Sequence, residues 1–256
     1  MISVVITAFN AEGYIAESIN SILQQSESDL ECIVVDDGSD DSTYRIAMNI
    51  ARKDSRLLVI KARKIGRGAA LNLGLKSGKG EYIAIQDADD ISHPHRLQIE
   101  RHILELGEGN LAGIGSGQVR IHGNGQCHSF WNIPNDLSVS DIGQRIVFRN
   151  PISHTSMLFR KSALEAVSGY DESREDLFDW DLMVRLCSQG FMLSKIDAPL
   201  VAHRIHENQF FEGRKRLSYA LHCMEMQRMA IRKLKCSLFL YATLPPLFAY
   251  RILRRW

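Results

Sequence analysis

The sequence predicts an α/β fold: a mixed, mainly parallel sheet flanked by helices, with a C-terminal helical appendage. Three observations predict it. Short apolar, β-branched runs alternate with segments of helical spacing as far as residue 90. The chain has 256 residues and is 45% hydrophobic, enough to bury a substantial core. Beyond residue 213 the character changes to basic and helical.

The elements follow in order. Ser3–Phe9 (SVVITAF) is apolar without alternation, as expected of a strand covered on both faces. After the turn Asn10–Gly13, Tyr14–Gln24 places Ile15, Ile19, Ile22 and Leu23 at helical spacing. Glu31–Val35 is a second strand, ending in Asp36-Asp37-Gly38-Ser39, and Ser42–Arg52 is a helix behind an Asp/Ser cap. Arg56–Ile60 is a third strand. Gly68–Leu75 is a helix opened by Gly66-Arg67-Gly68 and closed by Gly78–Gly80. Glu81–Gln86 is a fourth strand, ending in Asp87-Ala88-Asp89-Asp90.

The pattern then loosens. His95–Leu106 reads as a helix, and residues 111–130 as short alternating runs with a hairpin around Gly123-Asn124-Gly125. Asn150–Arg160 reads as a strand region, Asp181–Gln189 as a helix stopped by Gly190, and Phe191–Ile196 as the last strand. Gly213–Lys235 is a long basic helix, and Ser237–Tyr250 is an apolar segment broken by Pro245-Pro246.

Composition excludes several classes. A charged fraction of 24% argues against disorder, and a net charge of +1 against a polycation for nucleic acid. The charge is unevenly placed. Residues 214–256 hold ten Lys/Arg against the single acid Glu225, a net of +9, which leaves −8 on residues 1–213. Five widely spaced cysteines without a CxxC pair give no zinc site or disulfide framework, so reduced thiols in the cytoplasm are expected. No signal peptide is read, and no apolar stretch reaches the ~18 residues of a spanning helix.

In parallel α/β sheets, ligands sit beyond the carboxyl ends of the strands. Those ends carry Thr7–Asn10, Asp36-Asp37 and Asp87–Asp90, which meet only if the strand order brings them together. Two carboxylates two residues apart at a strand end can face a hard divalent cation, Mn²⁺ or Mg²⁺. Asp36 and Asp37 can accept hydrogen bonds from a ribose or a base, and Gly38 permits the tight turn. The first strand-to-helix turn lacks GxGxxG, and Gly78-Lys79-Gly80 lacks P-loop spacing, which disfavours dinucleotide and P-loop chemistry.

Six collinear blocks carry a resemblance: SVVITAFN (3–10), ECIVVDDGSDDST (31–43), GRGAALNLGLKSGKGEYIAIQDADD (66–90), HTSMLFRKSALEAVSGYDE (154–172), DWDLMVRLCSQG (179–190) and HRIHENQ (203–209). Together they resemble the family 2 glycosyltransferases, which have the GT-A fold and use nucleotide-sugar donors. The resemblance implies a catalytic domain over 1–212, with a nucleotide-binding half (1–106) and an acceptor half (107–212), followed by the basic amphipathic tail 213–256. It implies that Thr7 and Phe9 meet the base, that Asp37 recognises it with Asp36 alongside, and that Arg67 reaches the nucleotide. Asn72 would support the site structurally. Asp87 would lie near the ribose, and Asp89 would hold Mn²⁺ or Mg²⁺ on the diphosphate.

Asp179 matches the second position of the family's Glu-Asp pair and is the implied general base. Glu175, Asp176 and Asp181 are neighbouring acids that could take its place. Phe178 departs from the pair's Glu, and His203 departs from the aromatic of the Tyr/Trp-Arg-x-His loop. In that loop Arg204 would pair with phosphate and His206 would reach the metal. The implied reaction is an inverting transfer from a UDP-sugar to a glycan or lipid-linked acceptor, in surface or exopolysaccharide assembly. The basic tail would rest on an anionic membrane at the inner face of the cytoplasmic membrane, or pack on protein. The rival reading is a glycosyltransferase-like protein that binds a partner without turnover.

Overall fold

A computed structural model describes residues 1–123, 131, 133–134, 136–206 and 216–253. The chain begins as a regular alternation: β1 (Ile2–Ala8), α1 (Ile15–Leu23), β2 (Leu30–Asp36), α2 (Thr43–Ala51), β3 (Leu57–Lys61), α3 (Arg67–Ser77) and β4 (Tyr82–Asp87). β5 (Ile91–Ser92) and α4 (Arg96–Leu106) follow. The second half holds β6 (Leu111–His122), β7 (Val139–Asp141), β8 (Leu158–Arg160), α5 (Lys161–Ala166), α6 (Phe178–Ser188) and β9 (Met192–Ile205). α7 (Arg216–Lys233) and α8 (Leu244–Leu253) complete the described chain.

All nine described strands join one sheet, in the order β3-β2-β1-β4-β8-β6-β9-β5, with β7 paired to β9. β3, β2, β1 and β4 are parallel, while β8 enters antiparallel to β4. The chain steps outward from β1 to β3, and α3 carries it back to β4 on the other side of β1. That reversal opens a crevice at the carboxyl ends of β1 and β4. Register makes this concrete: Thr7 lies opposite Asp87, and Ala8 opposite Asp36. The three strand ends therefore do meet at one edge.

Successive side chains of β1 turn to opposite faces. Val4 and Ile6 pack with Ile15, Ile19, Ile22 and Leu97, under α1 and α4. Val5 packs on the other face with Leu71, Leu75, Leu182 and Leu186, under α3 and α6. Cys223, Met226 and Ala230 of α7 belong to this second core, so α7 shares the interior of the sheet domain.

Four expectations are corrected. The region 150–160 is strand only over Leu158–Arg160, because Pro151 and a 3₁₀ turn at His154–Ser156 precede it. There the Ser156 hydroxyl donates to the Ser153 carbonyl (2.8 Å) and ties the turn. α6 begins at Phe178 and so includes Asp179 in its first turn. β9 runs fourteen residues rather than six because it pairs with β6 along its length. Pro245 and Pro246 do not break the apolar segment. They sit in the first turn of α8, where a missing N–H costs nothing. The hairpin expected around Gly123-Asn124-Gly125, and Gly213 at the head of the basic helix, lie outside the described residues except for Gly123.

Candidate active site

The edge begins with β1. Phe9 is half exposed, with the Lys64 ammonium 5.0 Å from its ring centroid, and Thr7 is partly buried beside it. At the end of β2 the two acids part ways. Strand alternation turns Asp36 inward, fully buried, and neither of its oxygens has a hydrogen-bond partner among the described residues. The Asp36 carboxylate is thus enclosed beside Asp37 in the chain. The Asp37 carboxylate instead accepts from the backbone N–H groups of Ile65 (2.7 Å) and Gly66 (3.0 Å). It thereby fixes the loop that presents Arg67. Gly38 makes the turn with φ +79°, and a Cβ there would lie 3.0 Å from the Lys64 nitrogen.

Arg67, at the start of α3, pairs with Asp87 across the crevice. Its guanidinium lies 5.2 Å from the Phe178 ring centroid, a cation–π contact. The departure at 178 thus gives Arg67 an aromatic floor in place of a carboxylate. Asn72, one turn on, bonds the backbone of Tyr170 in both directions and donates to Glu172 (2.8 Å), a structural position as expected.

The acidic turn is held from all sides. The Asp87 N–H donates to the Thr155 hydroxyl (3.0 Å), and the Ser18 hydroxyl donates to the Asp87 carbonyl (2.8 Å). Asp89 meets His206 Nε2 at 2.9 Å. Asp90 is fully buried, accepts from the Arg204 N–H (2.9 Å) and lies 3.2 Å from His203 Nδ1. Burial pushes the Asp90 carboxyl up, and its bond to His203 pushes that imidazole up. The departure at 203 therefore supplies a partner for a buried acid.

Below the turn, Arg96 is fully buried against Glu100 (3.1 Å) and donates to Gln86 Oε1 and Ser92 Oγ, both at 3.0 Å. Gln86 in turn donates to the Asp90 carbonyl (2.7 Å). Burial pushes Glu100 up to about 7. A saturated network of this kind rigidifies what it supports.

Arg204 is held within the site. Its guanidinium is only 1% exposed, bonded to Glu17 (2.5 Å), the Asp89 carbonyl (2.9 Å) and the Gly123 carbonyl, and it lies 5.1 Å from the Tyr14 ring centroid. It sits within the wall of the site, clamping the acidic turn, rather than open to a phosphate. One oxygen each of Asp87, Asp89 and Asp90 falls within 4.8 Å of the others. That all-oxygen donor set, with His206 against Asp89, fits a hard divalent cation.

Asp179 faces a cavity of about 420 Å³ lined also by Arg67, Asp87, Asn150, His154, Asp176 and His203. Asn150 Nδ2 donates to its carboxylate at 2.6 Å. Burial nevertheless pushes the Asp179 carboxyl up, against the pull of its backbone bonds, the Arg67 charge and the Asn150 amide. Asp181 is buried between Arg174 (3.3 Å) and Arg185 (2.6 Å), away from the cavity lining. Asp176 lines the cavity but bonds His222 of α7 at 2.6 Å. Burial holds His154 down at about 3, so its ring is neutral, and it bonds the Tyr170 hydroxyl at 2.8 Å.

Several site residues escaped the sequence: Asn150, Thr155, Glu17, Ser18, Arg96 and His222. Only Ser18 left a trace, as the polar position on a helix otherwise apolar on its buried face.

The chain is similar to known proteins. The sequence pattern described as "Glycosyl transferase family 2" matches residues 3–167. An uncharacterized glycosyltransferase of Haemophilus influenzae is 33% identical, over 82% of this chain and 67% of that protein. The putative glycosyltransferase EpsE of Bacillus subtilis is 30% identical, over 97% of this chain and 89% of its own. The O-antigen biosynthesis glycosyltransferase WbnJ of Escherichia coli is 28% identical, over 80% of each. Staphylococcus aureus TarS, solved with UDP-GlcNAc, superposes with TM-score 0.70 at 20% identity, over 98% of this chain and 71% of that one. The mannosyltransferase PcManGT of Pyrobaculum calidifontis, solved with GDP-Man and Mn²⁺, gives 0.68 at 19%, over 98% and 73%.

Proposed function

The chain belongs to glycosyl transferase family 2 and has the GT-A fold, and from that premise we propose that it moves a sugar from a UDP-sugar to an acceptor hydroxyl, with inversion. The observation that carries this reading is the shared cavity: Arg67 and Asp87 from the crevice at β1 and β4, and Asp179 from α6, line one space. Residues 1–212 form the catalytic unit in this proposal, and 213–256 its helical extension.

The donor's base lies against Phe9 and Thr7, with Asp37 ordering the loop beneath it. Arg67, over the Phe178 ring, meets the nucleotide. Asp89, with Asp87 and His206, would hold Mn²⁺ or Mg²⁺, and the ion would supply positive charge to offset that of the leaving diphosphate. The acceptor hydroxyl enters the cavity beside Asp179. The carboxylate, steered by Asn150, takes the hydroxyl proton as the oxygen attacks the anomeric carbon from the face opposite the departing diphosphate. The raised basicity that burial confers suits a general base. Arg204 keeps the acidic turn in place and touches no reacting atom.

The acceptor is a glycan or lipid-linked glycan in cell-surface polysaccharide assembly, at the inner face of the cytoplasmic membrane. The relative named for O-antigen biosynthesis supports that setting.

Thermal shift with UDP, GDP and dTDP, with and without Mn²⁺, tests the donor site. The expected result is metal-dependent stabilisation by UDP that disappears in Asp89→Ala. Stabilisation by GDP alone would replace the proposed base. No stabilisation by any nucleotide at millimolar concentration would transfer the case to partner binding without turnover.

A further inference from the structure

The C-terminal elements bury one face and leave another uncovered. Leu244 and Arg251 pack inward, Arg251 bonding Gln227 (2.9 Å) and the Phe148 carbonyl (2.8 Å). These anchors fix the orientation of the segment. On the outside, Leu238 is 79% exposed, Phe239 89% and Leu253 81%, with Tyr250 nearby in sequence and also exposed. Large apolar side chains left this open are costly unless something covers them.

Their charged surroundings say what. Arg232 and Lys235 are exposed just before Leu238 and Phe239, and residues 214–256 carry the net +9 with one acid. Such a charge opposes a second copy of the same face. Among the described residues no helix is long and apolar enough to cross a membrane. Apolar side chains bordered by cations on short, firmly docked helices suit the interface of an anionic bilayer, with the rings and leucines in the headgroup layer and the cations on lipid phosphates.

We propose that the exposed side chains of Arg232, Lys235, Leu238, Phe239 and Leu253 together seat the protein on an anionic membrane. This deepens the proposed function by giving it a lipid-facing side. α7 links that side to the site. His222 bonds Asp176 in the cavity wall, and Lys233 lies eleven residues further along the helix, about 16 Å at 1.5 Å per residue. A sugar attached to a lipid headgroup on this surface is thus brought near the cavity that holds Asp179.

Co-sedimentation of the full chain with vesicles tests it. One set is phosphatidylglycerol mixed with phosphatidylcholine, the other phosphatidylcholine alone, each at low salt and at 0.5 M salt. Two double variants are compared with wild type: Leu238→Ser with Phe239→Ser, and Arg232→Glu with Lys235→Glu. The expected result is binding to anionic vesicles that weakens at 0.5 M salt and falls about tenfold or more in each variant. The nucleotide thermal shift should stay unchanged in both, since these side chains are exposed; it also reports that they fold. Absence of anionic vesicle binding, or equal binding by wild type and variants, overturns the proposal. So does a wild-type dimer in sedimentation velocity that the Leu238/Phe239 variant abolishes, because the face would then belong to a second copy. Vesicle binding without a nucleotide shift would sink the donor site and leave this surface standing, and the reverse result would do the opposite.

Discussion

Two sides of one cavity are held in different ways. The donor edge, at the ends of β1, β2 and β4, rests on a parallel backbone ladder whose register alone sets Thr7 against Asp87 and Ala8 against Asp36. The opposite wall, from residue 139 to 206, rests on side chains that bridge distant segments: Asn150 to Asp179, His203 to Asp90, Arg204 to Glu17. A ladder distributes its support over many bonds. A bridge concentrates it in one side chain, so single substitutions in the wall should do more damage to stability than those on the edge.

Arg204 and Arg67 give the sharpest contrast. Arg204→Met would leave the Asp89 and Gly123 carbonyls without their donor and should cost about 3 kcal/mol, since each lost bond from a charged group is worth roughly 1.5–3 kcal/mol. For a chain of this size that is a Tm lower by about 6–12 °C, read by calorimetry. Arg67→Met should do the reverse. Its pair with Asp87 is partly exposed and worth at most about 1 kcal/mol to stability. Transfer should fall about a hundredfold, the scale expected for removing a charge that acts on the developing diphosphate. If both variants lost stability equally, the contrast between edge and wall would collapse.

Asn150→Ala probes the wall without unfolding it. Removing the amide should lower kcat about tenfold, the scale of one bond at about 1.4 kcal/mol. It also has a pH signature. A general base works only when ionised, and burial already raises Asp179, so the acid limb of kcat/KM in the wild type should lie above the ordinary aspartate value near 3.9. Loss of the amide removes a bond that favours the carboxylate, so the limb should move to still higher pH. The smallest effect is expected at Thr155→Val, which takes the acceptor from the Asp87 N–H and should cost about 1 kcal/mol in a denaturant melt.

The same contrast governs what could be read beforehand. Buried parallel strands need continuous apolar runs and their helices need helical spacing, so β1 through β4 were legible to within one or two residues. The acidic turn was legible because its carboxylates are adjacent in sequence. The strand order was not, and without it the meeting of Asp37, Asp87 and Thr7 stayed conditional. The wall was obscure for a different reason. Asn150 and Asp179 are twenty-nine residues apart, and Glu17 and Arg204 one hundred and eighty-seven. Nothing in local pattern marks such a pairing. The burial of Asp36 and Arg204 is likewise illegible, because sequence shows which residues carry charge, not which way a strand turns them. The prolines of α8 misled because a proline pair opens a helix as readily as it ends one.

In the proposed mechanism turnover depends on Asp179 as the general base. Asp179→Asn keeps the shape of the side chain and its place beside Asn150 while removing the basic oxygen. Donor affinity and transfer rate should be measured together on the purified variant, nucleotide binding by calorimetry and transfer by release of nucleoside diphosphate. Nucleotide binding should stay within about twofold of wild type while transfer falls by about 10²–10⁴, the range for loss of a general base. Near-normal transfer with intact binding would contradict that role and move the base to another acid of the cavity, Asp176 first.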